Sequence, residues 1–466
     1  MKKLIYALVL SSLVLTTSGT GQTNLQKSGA QNSRELEAKV DAYIKPYLDV
    51  KGFSGAILIA RGGKVLLSKG YGMANYELNV PNTPQTKFHL ASVSKPFTAA
   101  AIMILQERGR LNVNDALSKY IPDYPNGEKI TLHHLLAHMS GIPNVNNFPE
   151  YERQSRFPQT AEAIVEMFKH KPLDFSPGEK YRYSNSNYNV LALVIEKVSG
   201  KSYGDFLKEN IFDPLGMKET AHDARAEALI VNRANGYVPA GLSDLENVPY
   251  LDWTIKTGNG SVYTTVEDMY RWDRALYTEK ILKKSSVDKI FTVHADNSVG
   301  YGWFIGKQAN RRVFRMGGRS PGFTTEIQRY VDDDVCIIVL GNNYAPTASP
   351  IANDLAAIVF GEQYKIPSLM KPVKLDEKVL EPLVGRYKFG PDYFVPGAIA
   401  SIEKRDGQLN MALSTGASVT LLPQSDVRFF DRVFWEEIIF EKDNSGEATQ
   451  LIWRYSGMDY HAGKIK

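Results

Sequence analysis

Ser92 and Lys95 stand three residues apart within Phe88-His89-Leu90-Ala91-Ser92-Val93-Ser94-Lys95-Pro96-Phe97. Positions i and i+3 share a helix face, so the lysine amine can lie beside the serine hydroxyl and help deprotonate it. The pair has the chemistry of an activated nucleophile. Spacing alone selects nothing, because Ser286/Lys289, Ser368/Lys371 and Ser401/Lys404 repeat it. Setting separates them. The extended segments Phe53 to Ala60 and Lys64 to Leu67 lead through the turn Pro81-Asn82-Thr83-Pro84 into an apolar helical run, Phe97 to Glu107. Ser92 therefore falls at the mouth of a helix, where unpaired backbone N–H groups can stabilise an oxyanion.

A second polar group is Tyr181-Arg182-Tyr183-Ser184-Asn185-Ser186-Asn187-Tyr188-Asn189, a loop ahead of the apolar helix Val190 to Val198. Packed over the nucleophile, the Tyr183 phenol can trade protons with serine and leaving group. Its ordinary pKa of about 10 calls for a nearby cation to lower it, and Lys95 is the cation expected to do so. Asn185 would orient Lys95 and a substrate amide. The Tyr-x-Asn triplet also occurs at Tyr124-Pro125-Asn126, so the triplet is not decisive by itself.

His133, His134 and His138 include an i, i+4 pair that a helix could turn toward zinc, but Leu135 occupies the place of a zinc hydrolase's glutamate and no third ligand is evident. The histidines read as structural, and neither a metal nor another cofactor is expected. Cys336, the one cysteine, lies in the apolar run Val335 to Leu340 and reads as a buried strand thiol. The formal charge of +4 gives no basis for nucleic-acid binding.

These groups need elements to hold them. Met1-Lys2-Lys3 and the apolar run to Leu15 read as a secretory signal peptide over residues 1–24, too short to span a membrane. The expected location is the bacterial periplasm or exterior, with no transmembrane anchor after cleavage. An amphipathic helix is expected at Ser33 to Ile44. Late strands are expected at Val299 to Ile305, Val313 to Met316, Thr324 to Tyr330 and Val335 to Leu340, followed by a helix at Ile351 to Phe360. Early and late strands around a helical middle predict an α+β domain over 33–366 whose ends complete one sheet. Beyond a linker from Pro367 to Pro372, six short segments between Gly385 and Tyr455 alternate with turn signals and predict a small β-barrel over 374–466.

In Ala91 to Thr98 and Tyr183 to Tyr188, with Leu135-Leu136-Ala137-His138-Met139-Ser140-Gly141-Ile142-Pro143 and Gly260 to Met269, the chain resembles the serine β-lactamase and DD-peptidase superfamily. The match is to its class C β-lactamase-like, or serine peptidase S12, branch and spans roughly residues 33 to 362. The resemblance implies an antiparallel sheet flanked by helices with a mostly helical subdomain. It also implies that Ser92 attacks a carbonyl, that Tyr183 and Lys95 shuttle its proton, and that water later releases the acyl group.

The family's third element, Lys-Thr-Gly or His-x-Gly on a strand edging the site, is where the chain departs. The corresponding stretch is Phe314-Arg315-Met316-Gly317-Gly318-Arg319-Ser320-Pro321-Gly322-Phe323. Ungapped counting puts Met316 at the basic position, and one extra residue puts Arg315 there. Arg315 would keep a charge for a substrate carboxylate, whereas Met316 would remove it. Gly317 and Gly318 complete this substrate-binding stretch, and the N–H of Gly318 or Arg319 would join that of Ser92 in an oxyanion hole. Lys256-Thr257-Gly258 and His461-Ala462-Gly463 spell the triplets elsewhere, but their positions argue against them. The tail resembles the lipocalin-like barrel appended to such hydrolases.

The expected protein is an exported serine hydrolase that cleaves an amide or ester of a D-aminoacyl peptide, a peptidoglycan-like peptide or a simple ester. The competing expectation is a catalytically impaired penicillin-recognising or peptidoglycan-sensing binding protein. Partners are a small-molecule or peptide substrate and peptidoglycan; the sequence does not set an oligomeric state.

Overall fold

The computed structural model describes the backbone from residue 20 and side chains from residue 33, apart from residues 226, 242–243, 309, 367–372, 394, 415–417, 456–457 and 466. Most of the expected signal segment and the whole Pro367 to Pro372 linker lie outside the described residues. Among the described residues, no helix is long and apolar enough to cross a membrane.

One six-stranded antiparallel sheet forms the frame. Its strands are β1 (Gly55–Arg61), β2 (Lys64–Tyr71), β3 (Phe304–Gln308), β4 (Arg311–Ser320), β5 (Phe323–Tyr330) and β6 (Val335–Gly341). Their spatial order is β3-β4-β5-β6-β1-β2, so the chain's early and late strands meet where Gly55 pairs with Gly341. All of β5 and β6 is buried, as expected of strands covered on both faces, and Cys336 is a buried free thiol within β6.

Two helices, α1 (Thr20–Asp49) and α4 (Ala348–Phe360), cover the back of the sheet through Val40, Tyr43, Ile351 and Leu355. The front carries the larger core, built around α2 (Lys95–Glu107) and α3 (Asn185–Ser199). Pro96 sits in the first turn of α2, where its fixed φ favours helix and its missing N–H costs nothing. From Lys95 to Leu105 every residue of α2 is buried, so α2 is a core helix with no solvent face.

The third strand begins later than Val299, at Phe304. Gly302, at φ +75°, lies where a Cβ would come 2.9 Å from the Lys95 carbonyl, so Gly300 to Trp303 is a loop fitted against the start of α2.

The C-terminal unit is a closed antiparallel barrel of eight strands, running from Gly385–Phe389 to Met458–Ile465, and these two pair with each other to close it. It has two strands more than the segments expected from sequence, Arg428–Asp431 and Met458–Ile465. Charged and small residues dilute the apolar pattern of the last strand, and closure supplies the hydrogen bonds that its composition does not advertise. Tyr387, Phe389, Phe429, Phe440 and Trp453 fill the interior.

Candidate active site

Ser92 lies in a single 3-10 turn, Ala91–Ser94, that runs directly into α2. Ala91 holds φ +49°, a conformation that costs energy for a residue with a Cβ and that here turns the chain sharply out of the short strand Phe88–His89. Ser92 Oγ is 2.8 Å from the Tyr183 hydroxyl and receives Lys95 Nζ at 3.1 Å. The sequence-derived trio is therefore in direct hydrogen-bond contact.

Lys95 is fully buried. Its amine contacts Asn185 Oδ1 at 2.9 Å and the Asn259 carbonyl at 2.9 Å as well as Ser92. The amide and carbonyl oxygens only accept, so they take two N–H groups, and the third direction meets a hydroxyl that can donate. An ammonium would donate its third N–H to that hydroxyl, and a neutral amine would accept from it through its lone pair. Burial, and then the charge of Lys256, hold the Lys95 pKa well below its ordinary value.

Tyr183 behaves in the opposite sense to the sequence expectation. Burial raises its pKa above the usual phenol value, opposed only in part by the bond to Ser92. Lys95 Nζ lies 5.0 Å from the centre of the Tyr183 ring, yet burial prevails in raising the phenol, and the same burial disfavours the charged amine. Burial thus favours the protonated hydroxyl at Tyr183 and the neutral amine at Lys95.

Asn185 is the first residue of α3, not part of a loop ahead of it. Asn144 Oδ1 receives the Asn185 N–H at 3.2 Å and so caps the helix from another loop, while Asn185 Nδ2 donates to Asn146 Oδ1 at 2.8 Å. The bond to Asn146 orients the side-chain amide so that its own oxygen faces Lys95. His138 packs against Tyr183 with ring centres 4.5 Å apart, and its Nδ1 receives the Ser184 N–H and Asn187 Nδ2. Burial lowers His138 to about 3, so it is a neutral buttress.

The third element lies along β4. Strand β3 pairs with β4 only from Arg311 to Arg315, which leaves the edge from Met316 to Ser320 open toward the nucleophile. Side chains alternate across the sheet. Met316 is buried in the front core, and Gly318 faces the Ser92 turn: a Cβ there would lie 2.3 Å from the Leu90 carbonyl and 3.0 Å from Ser92 N. Arg315 and Gly317 belong to the other face. A Cβ on Gly317 would meet the carboxylate of buried Glu326, and the Arg315 charge acts on that same group. The expectation that Arg315 projects into the cleft is therefore corrected by the two-residue period of the strand. Of the two candidates for the basic position, Met316 is the one on the face toward the front core, and Gly317 offers the cleft only backbone.

Strand β4 turns into β5 through Pro321-Gly322, so Ser320 and Phe323 form the hydrogen-bonded pair nearest the turn. Alternation then directs the N–H and C=O of Arg319 and Gly317 away from β5 into the open edge. Of the two expected oxyanion donors, Arg319 is the one so directed, next to Gly318, which packs against the Ser92 turn.

Neither decoy triplet lies on this edge. His461-Ala462-Gly463 is in the last barrel strand. Lys256-Thr257-Gly258, however, forms the wall behind Lys95: Gly258 O accepts from Thr98, Asn259 O from Lys95, and the Lys256 ammonium lies 5.2 Å from the Tyr151 ring centre. Sequence reasoning missed Asn144, Asn146 and the Asn259 carbonyl. The triplet was the one available signal for Asn259, whereas the two asparagines carry no spacing pattern. His133 bonds Tyr301, and His134 closes a capping box with Thr131, so the histidines are engaged in structure; among the described residues, no cluster of three or more metal-ligating side chains occurs.

A serine, a buried lysine and a tyrosine at a helix mouth beside an open antiparallel edge define a β-lactamase/transpeptidase-like serine hydrolase fold. Residues 40–360 match the family model described as Beta-lactamase, and the chain belongs to the beta-lactamase family. It is 32% identical to "Penicillin-binding protein 4*" of Bacillus subtilis over 89% of this chain and 95% of that protein. A crystal structure of a penicillin-binding protein from Bacillus halodurans superposes with a TM-score of 0.60 at 27% identity, covering 68% of this chain and 98% of that one. D-amino acid amidase from Ochrobactrum anthropi SV3, at 21% identity, shares the fold with a TM-score of 0.64 over 70% of this chain and 99% of its own.

Proposed function

We propose that the protein is an exported serine hydrolase that cleaves an amide or ester through an acyl-enzyme at Ser92. The observation that carries this reading is the direct contact of Ser92 Oγ with both the buried Lys95 amine at 3.1 Å and the Tyr183 hydroxyl at 2.8 Å. Lys95 accepts the serine proton as Oγ bonds to the substrate carbonyl. The carbonyl oxygen becomes an oxyanion held by the N–H groups of Ser92 and Arg319, an arrangement in which one donor is typically worth about 3 to 4 kcal/mol. As the carbon–nitrogen or carbon–oxygen bond breaks, the proton leaves with the expelled amine or alcohol by way of the Tyr183 hydroxyl. Water then adds to the acyl-enzyme, gives its proton to the same relay, and serine is restored.

The substrate class follows from β4. Met316 offers no charge, Arg315 faces the opposite side of the sheet, and the Arg319 guanidinium donates to the carbonyls of Tyr344 and Val433. A ligand carboxylate thus has no cation awaiting it on this strand. We favour D-aminoacyl or peptidoglycan-like peptides and esters whose recognition does not rely on a carboxylate at that point. Similarity to a relative named as penicillin-binding supports acylation by β-lactams, with weak or no turnover.

The test is hydrolysis of p-nitrophenyl esters together with labelling by a fluorophosphonate probe. The expected result is Ser92-dependent turnover and labelling, both lost in Ser92→Ala. Unchanged hydrolysis in Ser92→Ala, or an unlabelled wild type, refutes the assignment. Stoichiometric acylation without turnover, seen by intact mass, would instead favour the binding-protein reading, for which the uncharged Met316 position is the specific motive.

A further inference from the structure

Arg319 faces two ways. Its backbone N–H lies in the sheet plane, directed into the open edge, while its side chain leaves through the back of the sheet. There Nε donates to the Tyr344 carbonyl at 3.0 Å and Nη2 donates to the Val433 carbonyl at 2.8 Å. The guanidinium also lies 4.0 Å from the Tyr344 ring centre and 5.1 Å from that of Phe434. Val433 and Phe434 belong to the C-terminal barrel, so the residue offering the oxyanion donor is tied by its side chain to the other domain.

The barrel segment that receives it is built to stay in place. Asp431 is fully buried, and its carboxylate accepts the N–H groups of Val433 at 2.7 Å and Phe434 at 3.0 Å, which fixes the turn. Arg432 reaches the other way into the hydrolase domain and donates to the carbonyls of Val50, Ala240, Gly241 and Asp244. Trp435, at φ +60°, stacks on Tyr47 with ring centres 5.5 Å apart. Gly52 is glycine where any Cβ would collide with that indole at 2.4 Å. Five consecutive residues, Asp431 to Trp435, thus either shape the turn or grip the hydrolase domain.

We propose that Arg319 is a positioning residue: its guanidinium fastens the oxyanion edge of β4 to the barrel turn Asp431–Trp435, so that the barrel sets the placement of the Arg319 N–H relative to Ser92. The physical basis is that an edge unpaired on one side has no neighbouring strand to hold it. A planar fork with two carbonyl acceptors and two aromatic faces restrains it from behind. The barrel, whose interior is filled by its own aromatic side chains, then serves the reaction as a brace and not as a ligand carrier.

This inference rests on the serine-hydrolase reading, and the experiment separates the two. Full-length wild type, Arg319→Ala, Arg319→Lys and Arg432→Ala are compared for p-nitrophenyl ester hydrolysis and for affinity toward phenylboronic acid, whose tetrahedral adduct uses the same N–H donors. Arg319→Ala is expected to lose about 10- to 100-fold in kcat with KM within about twofold, as a displacement near 1 Å does. Boronate affinity should fall in parallel, and Arg319→Lys should recover part of the loss. Arg432→Ala, which unseats the turn without touching Arg319, should lower kcat in the same manner. Undiminished kcat in Arg319→Ala overturns the proposal while leaving the hydrolase reading intact. So does a loss shared equally by kcat and KM that lysine does not relieve, because it marks a merely structural role. Full activity in Arg432→Ala overturns the part assigned to the barrel. Absence of Ser92-dependent turnover in the wild type refutes the hydrolase reading and the positioning role with it.

Discussion

Gly318→Ala is the sharpest test of how β4 meets the nucleophile. The added methyl carbon would sit 2.3 Å from Leu90 O, 2.5 Å from Thr325 Oγ1 and 3.0 Å from Ser92 N. Two of these are backbone atoms of the turn that carries Ser92, and Thr325 Oγ1 is itself bonded to Leu90 O at 2.7 Å, so no flexible side chain can absorb the clash. Bringing the methyl–oxygen distance to ordinary contact requires the strand to withdraw by roughly 1 Å, which takes the Arg319 N–H out of hydrogen-bond reach of an oxyanion. Losing one such donor lowers kcat by about 100- to 1000-fold, and the overpacking itself costs about 1 to 3 kcal/mol of stability. The assay is kcat and KM for a p-nitrophenyl ester, with thermal unfolding of the same samples. Gly306→Ala in β3 is the control, because nothing lies within 4 Å of its Cβ position. If Gly318→Ala folds with an unchanged Tm and keeps kcat within about twofold of wild type, the reasoning about the oxyanion edge is wrong.

The pH–rate profile should follow Lys95 and Tyr183. Lys95 must be neutral to accept the serine proton, and its lowered pKa places the acid limb well below the ordinary lysine value; the rate falls as pH drops through that pKa and the amine protonates. Tyr183, with a raised pKa, stays protonated past pH ~10, so no alkaline loss is expected below that point. A profile that rises only near pH 10 would show that Lys95 is charged in the resting site. Met316→His should restore a polar group facing the cleft and raise kcat/KM for a β-lactam bearing a carboxylate more than for a neutral ester; an equal effect on both would count against the reading of the third element. Asp273→Ala should destabilise the sheet by about 3 to 5 kcal/mol in denaturant unfolding, because Arg329 donates to Asp273 at 2.6 Å with both side chains buried, leaving an unpaired interior charge. A loss below about 1 kcal/mol would mean that Arg329 finds water or another acceptor.

The hydrolase fold was largely legible. Apolar runs at Phe53 to Ala60 and Val335 to Leu340 mark strands buried on both faces, and the long apolar stretch after Lys95 marks a core helix. Less legible were elements whose existence depends on partners. The two unforeseen barrel strands are completed by their neighbours, and Gly300 to Trp303 reads as strand until Gly302 is seen against the backbone of α2. Asn185 reads as loop because its helix cap, Asn144, comes from a distant segment.

The sequence by itself singled out Ser92, Lys95 and Tyr183 as the candidate site, because the i, i+3 spacing and the order of the motifs are local features of the chain. Only tertiary structure decided which way their pKa values move, since burial from every side lowers Lys95 and raises Tyr183. It also decided the ambiguous edge. One residue of register separates Arg315 from Met316, and a strand's period of two sends them to opposite faces once pairing with β5 is fixed. The link from Arg319 to Val433 joins positions more than a hundred residues apart, a contact that no local pattern in the chain contains.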